Sequence, residues 1–156
     1  MLRAHTASLW TAEPDVVIDL ILSSGTQARQ LMHQFRGLTS RVVVISSCDV
    51  YRARGILHGS ELGPLEPVPL TETSPQRTNL QTYPPDRIKR LHGVFGWLDE
   101  EYDKSPVERE ILGNPELSRI VLRLPMVHGP RDPLHRFHSV VTRVDDRRPA
   151  MLLEEK

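Results

Sequence analysis

An apolar run in this chain, Arg41-Val-Val-Val-Ile45, is followed at once by two hydroxyls, a thiol and a carboxylate, at Ser46, Ser47, Cys48 and Asp49. Open α/β sheets bind ligands at the carboxyl ends of their strands, where a serine hydroxyl such as that of Ser47 can hydrogen-bond a reacting oxygen. The same two serines can equally satisfy the backbone of the turn after the strand. Further along, Tyr102-Asp-Lys104 sets a phenol near an ammonium. A phenol with an ordinary pKa of about 10 needs a neighbouring cation before it can act as a base near neutrality. Glu100, Glu101 and Asp103 flank the lysine, which also suits a solvated residue ahead of a helix. His135-x-x-His138 has the i, i+3 spacing of a helical metal pair, but no third ligand is evident and no Glu lies between them, so it reads as a surface pair. Cys48 reads as a small buried thiol. No Gly-x-Ser-x-Gly elbow occurs, which speaks against an α/β-hydrolase. Phe95 and Trp97, beside Tyr102, read as packing.

These groups need a scaffold, and the pattern supplies one. Asp15-Val-Val-Ile-Asp-Leu-Ile-Leu22 is β-branched and nearly continuous in apolar character, as in a parallel strand buried on both faces. Ser24-Gly-Thr-Gln27 has the capping-box form and starts a helix that Gly37 can terminate, with Ala28, Leu31, Met32, Phe35 and Leu38 recurring as one apolar stripe. With the strand at 41–46 this makes a βαβ unit, a connection that is overwhelmingly right-handed and parallel. From about 52 to 92 glycines and prolines leave no sustained periodicity, and a long irregular loop is expected. Ser105-Pro-Val-Glu108 reads as a second capping box, opening a helix that Gly113-Asn114 stops. Arg119-Ile-Val-Leu-Arg-Leu124 is the third β-type run. Asp132-Pro133 opens a helix with Leu134, Phe137, Val141 and Val144 on one face.

The expected fold class is therefore α/β, an incomplete Rossmann-like fold with a parallel sheet of about three strands, flanking helices and a long loop. Residues 1–14, including Trp10, read as a loosely ordered lead-in, and 15–156 as one partial domain. Three strands are few for a parallel sheet, whose faces and edges both need cover, so part of a larger sheet is expected to lie elsewhere. Twenty Lys and Arg balance twenty Asp and Glu among 156 residues, and the signs interleave, which argues against a nucleic-acid binder. One cysteine excludes an internal disulfide or multi-cysteine metal site and makes a reducing cytoplasm the default compartment. The longest apolar stretch is far short of the roughly 20 residues that span a bilayer. No secretory h-region opens the chain.

Four segments carry a resemblance. Ile45-Ser-Ser-Cys-Asp-Val-Tyr51 resembles the SS-x-x-VYG segment of the NAD-dependent epimerase/dehydratase family, the extended short-chain dehydrogenases/reductases. Arg123-Leu-Pro-Met-Val-His-Gly-Pro130 resembles its R-x-P-x-VYGP segment, Pro69-Leu-Thr-Glu-Thr-Ser-Pro75 its PLTEDSP phrase, and Tyr102-Asp-Lys-Ser-Pro-Val-Glu108 its catalytic-lysine helix. The segments follow the family's order over most of 15–153. The resemblance implies NAD or NADP as cofactor and a nucleotide-sugar-like hydroxyl substrate. It assigns Ser47 to the hydroxyl that binds the reacting oxygen, Lys104 to the ribose and Tyr102 to the base, with Pro125 and Val127 beside the nicotinamide.

The departures carry their own implications. Tyr102 precedes Lys104 by two residues, whereas the family's spacing is four, and Glu100 holds the position four before. On a helix two residues lie about 200° apart, so Tyr102 can serve only if its stretch is non-helical. His128 replaces a Tyr, and Arg52 replaces a Gly. The family's Gly-x-x-Gly-x-x-Gly turn, which brings backbone N–H groups to the pyrophosphate, is absent from the sequence. By the resemblance the first strand matches the family's fourth, so the chain alone is expected to bind NAD poorly. The alternative is a non-catalytic Rossmann-derived interaction module, or a gene fragment, whose open sheet edge is covered by a partner or a second copy.

Overall fold

In a computed structural model, residues 13–80 and 83–150 are described. The lead-in up to residue 12, Trp10 and the apolar group at 151–153 lie outside them. Where the sequence suggests one domain over 15–156, contacts divide the chain into two compact units, Met1–Pro125 and Met126–Lys156.

The first unit is mixed α/β. Strands β1 (Val16–Asp19), β2 (Arg41–Ser47) and β3 (Ser118–Leu124) form one parallel sheet in the order β1-β2-β3. Helix α1 (Gly25–Phe35) joins β1 to β2, and α4 (Lys104–Gly113) precedes β3. Two short helices, α2 (Arg52–Leu57) and α3 (Pro85–Val94), fall inside the stretch expected to be wholly irregular. Proline explains α3, because Pro85 at the first helical position loses no hydrogen bond. This is an incomplete Rossmann-like arrangement.

β1 is shorter than the apolar run because Asp19 ends it. Its carboxylate accepts the N–H groups of Ile21 (2.8 Å) and Leu22 (3.0 Å), turning the chain out of the ladder. The first capping box forms with a one-residue shift. Ser24 Oγ accepts the Gln27 N–H at 3.2 Å, and Gln27 Oε1 accepts the N–H of Ser23 at 2.8 Å. Gly37 at φ +74° completes the turn beyond α1.

The second expected capping box does not form. Asp103 is the N-cap of α4, accepting the Ser105 N–H at 2.8 Å. Ser105 lies inside the helix with its hydroxyl buried and unpartnered among the described residues. Asp103 wins because its ionised carboxylate is the stronger acceptor for a helix N-terminus.

The core forms on one face of the sheet. Ala28 and Met32 of α1 and Val107 and Ile111 of α4 pack with Val42, Val44, Leu22 and Leu117. Burying each of the larger aliphatic side chains stabilises the fold by about 1.5–3 kcal/mol. The expectation of strands buried on both faces does not hold. The alternating residues Val16 and Ile18 of β1 and Ile120, Leu122 and Leu124 of β3 point away from these helices and are exposed, Ile18 at 62%. Side chains alternate across a strand, so two helices on one face leave the other without a layer.

The second unit holds α5 (His138–Asp145). The helix does not begin at Asp132-Pro133 as expected. Asp132 instead accepts the N–H groups of Leu134 and Arg136, each at 3.1 Å, while His135 adopts a left-handed conformation at φ +48°. The side chain thus closes a turn rather than an α-helix. The apolar stripe of this segment stays exposed, with Phe137 at 38% and Val144 at 67%.

Candidate functional site

The parallel sheet ends all three strands on the same side, and the chemistry-bearing residues of the first unit gather there. Ser46, at the end of β2, faces the helix-covered side, and Ser47, one residue on, faces the other. Ser46 donates to Glu108 Oε1 at 2.6 Å. Ser47 Oγ accepts the Asp49 N–H at 3.2 Å and caps the 3₁₀ turn Cys48–Val50. The hydroxyl proton of Ser47 is not used in that bond, and its side chain also makes a hydrogen bond with the Cys48 thiol.

Lys104 opens α4 and is 6% exposed. Its ammonium donates to the carbonyl oxygens of Leu22 and, at 3.1 Å, Ile45, at the carboxyl ends of the first two strands. The sequence alternative of a solvated lysine is therefore overturned: backbone carbonyls left over at two strand ends attract the cation inward. Burial pushes its pKa down to about 8, opposed by the charges of Asp19 and Glu108.

Tyr102 lies just before α4 in non-helical backbone, as its two-residue spacing from Lys104 requires. Its ring sits 5.8 Å from that of Tyr83, whose hydroxyl donates to Asp49 Oδ2 at 2.9 Å. That contact ties the phenol to the turn that Ser47 caps. Phe95 and Trp97, read as packing in the sequence, pair with each other, their ring centroids 5.7 Å apart. Burial first, then the Asp49 charge, raises the Tyr83 pKa well above the usual phenol range, so Tyr83 stays a neutral donor.

Four residues that sequence reasoning assigned no such role organise this end. Glu108 is 1% exposed and receives Arg123 Nε at 3.0 Å and Nη2 at 2.8 Å besides Ser46. Arg123 also donates to Tyr51 Oη at 3.2 Å and lies 4.9 Å over that ring. The bond to Glu108, more than the opposing desolvation, keeps the guanidinium charged at all accessible pH. Arg77 and Asp103 form a buried ion pair, with side chains 4% and 1% exposed, and Arg77 also donates to Asp49 O at 2.8 Å. An arginine inside the apolar run of β3, and a glutamate one turn beyond a lysine, are the signals that mark Arg123 and Glu108 in the sequence.

Pro125 ends the first unit, directly after β3, and is exposed. Val127 belongs to the second unit, where its carbonyl accepts Arg136 Nη1. Cys48 is half-buried rather than buried, and burial raises its thiol pKa, with a further contribution from the Asp49 charge. His135 and His138 have ring centroids 6.0 Å apart. Among the described residues no group of three His, Cys, Asp or Glu could hold a metal, and no helix is long and apolar enough to cross a membrane.

At this end of the sheet the buried ammonium of Lys104 lies on the helix-covered face, Ser47 faces the other side, and the ring of Tyr102 meets that of Tyr83. No family model, curated protein or solved structure matches this chain.

Proposed function

We propose that this chain is the hydroxyl-binding part of an NAD(P)-dependent oxidoreductase of the epimerase/dehydratase kind, acting on a nucleotide-sugar-like substrate. The observation that carries the reading is the Lys104 ammonium, buried at the carboxyl ends of β1 and β2. An ammonium has three donors, and the two carbonyls use two of them, leaving one for a ribose hydroxyl. Ser47, whose side chain also hydrogen-bonds Cys48, would turn its hydroxyl proton to a substrate oxygen. Tyr102, two residues before this lysine in non-helical backbone, is the residue that would remove a hydroxyl proton. These groups fit the nicotinamide–ribose end of a dinucleotide, which when bound would supply the hydride acceptor or donor. The pyrophosphate end has no glycine-rich turn in this sequence to receive it.

Titration of the purified chain with NADH, followed by nicotinamide fluorescence, tests the reading. Weak but saturable binding that Lys104→Ala abolishes, in protein whose circular dichroism is unchanged, is the expected result. Absence of binding by the wild-type chain removes the enzyme reading. A second reading, an interaction module, is favoured by the uncovered apolar sheet face of Val16, Ile18, Ile120, Leu122 and Leu124. Sedimentation of a chain that binds no NADH would then show a stable assembly if that reading is right.

A further inference from the structure

We propose that residues 128–141 of the second unit form a binding site for a small organic phosphate monoester with a flat apolar body. A cavity of about 430 Å³ opens among these residues, within the range of small-molecule sites. One wall is apolar and planar: the His128 imidazole stacks on Phe137 with centroids 4.0 Å apart and an interplanar angle of 19°, and Val141 adjoins them. The polar side is cationic. Arg131 lines the cavity, and its guanidinium has no hydrogen bond or ion pair among the described residues. The rings of His135 and His138 line it as well, and each imidazole carries an N–H donor in either tautomer.

The one carboxylate of the lining does not cancel Arg131. Asp132 is occupied by the N–H groups of Leu134 and Arg136 and by the Arg136 guanidinium at 3.8 Å. Three donor side chains on separate residues match the three terminal oxygens of a phosphate monoester better than the two of a carboxylate. Arg131 and His135 are held in the left-handed region, at φ +67° and +48°, which fixes the loop that carries them. The proposal uses none of the residues around Lys104.

The probe is phenyl phosphate, titrated into the full chain while the histidine ring signals are followed by NMR. The expected result is a saturable shift of the His135 and His138 signals with a Kd below about 1 mM. Arg131→Gly, which accepts the positive φ and removes only the cation, should weaken binding about tenfold or more. Arg131→Asn, which also tolerates that φ, should do the same and guards against a folding artefact. No saturable shift, or an affinity indifferent to both variants, overturns the site. Inorganic phosphate binding as tightly as phenyl phosphate overturns the flat apolar body.

Discussion

Ser46 of β2 and Arg123 of β3 stand opposite each other in the parallel ladder and share one carboxylate, that of Glu108 on α4. A helix is thereby pinned to two strands through one buried charge. Glu108 lies four residues after Lys104, so the turn that seats it also sets where the ammonium emerges.

Glu108→Ala should therefore be among the most damaging single changes in the chain. Removing one partner of a buried ion pair leaves the other desolvated, a loss of about 3–5 kcal/mol. Glu108→Gln keeps the shape and an acceptor for Ser46, and it should lose less. Urea unfolding of both variants checks the order; equal stability of Glu108→Ala and wild type would mean that Arg123 finds another partner.

Lys104 makes stability depend on pH in a definite direction. Its folded pKa, about 8, lies below the ordinary lysine value of 10.5, so the folded state holds fewer protons than the unfolded state between those two values. Stability attributable to this residue therefore rises as pH increases from about 8 to 10.5, and the penalty for burying the charge is fully present below pH 8. The linkage amounts to roughly 3 kcal/mol at most. Lys104→Met removes the titration and leaves two carbonyls without their donor, so wild type should gain on the variant across that window. Denaturation midpoints at pH 7, 8, 9 and 10 measure it, and parallel curves would contradict the buried ammonium.

Two ion pairs made by arginines allow a direct comparison. Arg77→Ala breaks the buried pair with Asp103, the residue that caps α4, and should cost about 3–5 kcal/mol. Arg29→Ala breaks the pair with Glu110, where the arginine side chain is 66% exposed, and should leave the denaturation midpoint nearly unchanged. Raised salt should weaken only the second contribution.

The two faces of the sheet predict opposite sensitivities. Ile111→Ala empties a fully buried position on the covered side and should lose about 2–5 kcal/mol. Ile18→Thr alters a residue 62% exposed and should change stability by no more than about 0.5 kcal/mol. A large loss for Ile18→Thr, dependent on protein concentration, would reveal that this face is covered in solution.

Local pattern carried much of the first unit. The β-branched runs marked three strands, the stripe of Ala28, Met32 and Phe35 marked α1, and the pairing in register 16–19 with 41–44 and 41–47 with 118–124 makes the βαβ topology real. Period and propensity act over a few residues, and a single sequence displays them fully. What local pattern could not decide was competition between partners far apart in the chain. Ser105-Pro-Val-Glu108 is a sound capping box until Ser46 and Arg123 arrive from two strands to claim Glu108. Lys104 is a plausible surface residue until the carbonyls of Leu22 and Ile45 converge on it. Tyr102 has neighbouring aromatics in sequence, yet its ring partner is Tyr83. A buried charge takes the partners that the assembled fold brings within hydrogen-bond reach, because leaving any of them unsatisfied in the interior costs more than local preference can return.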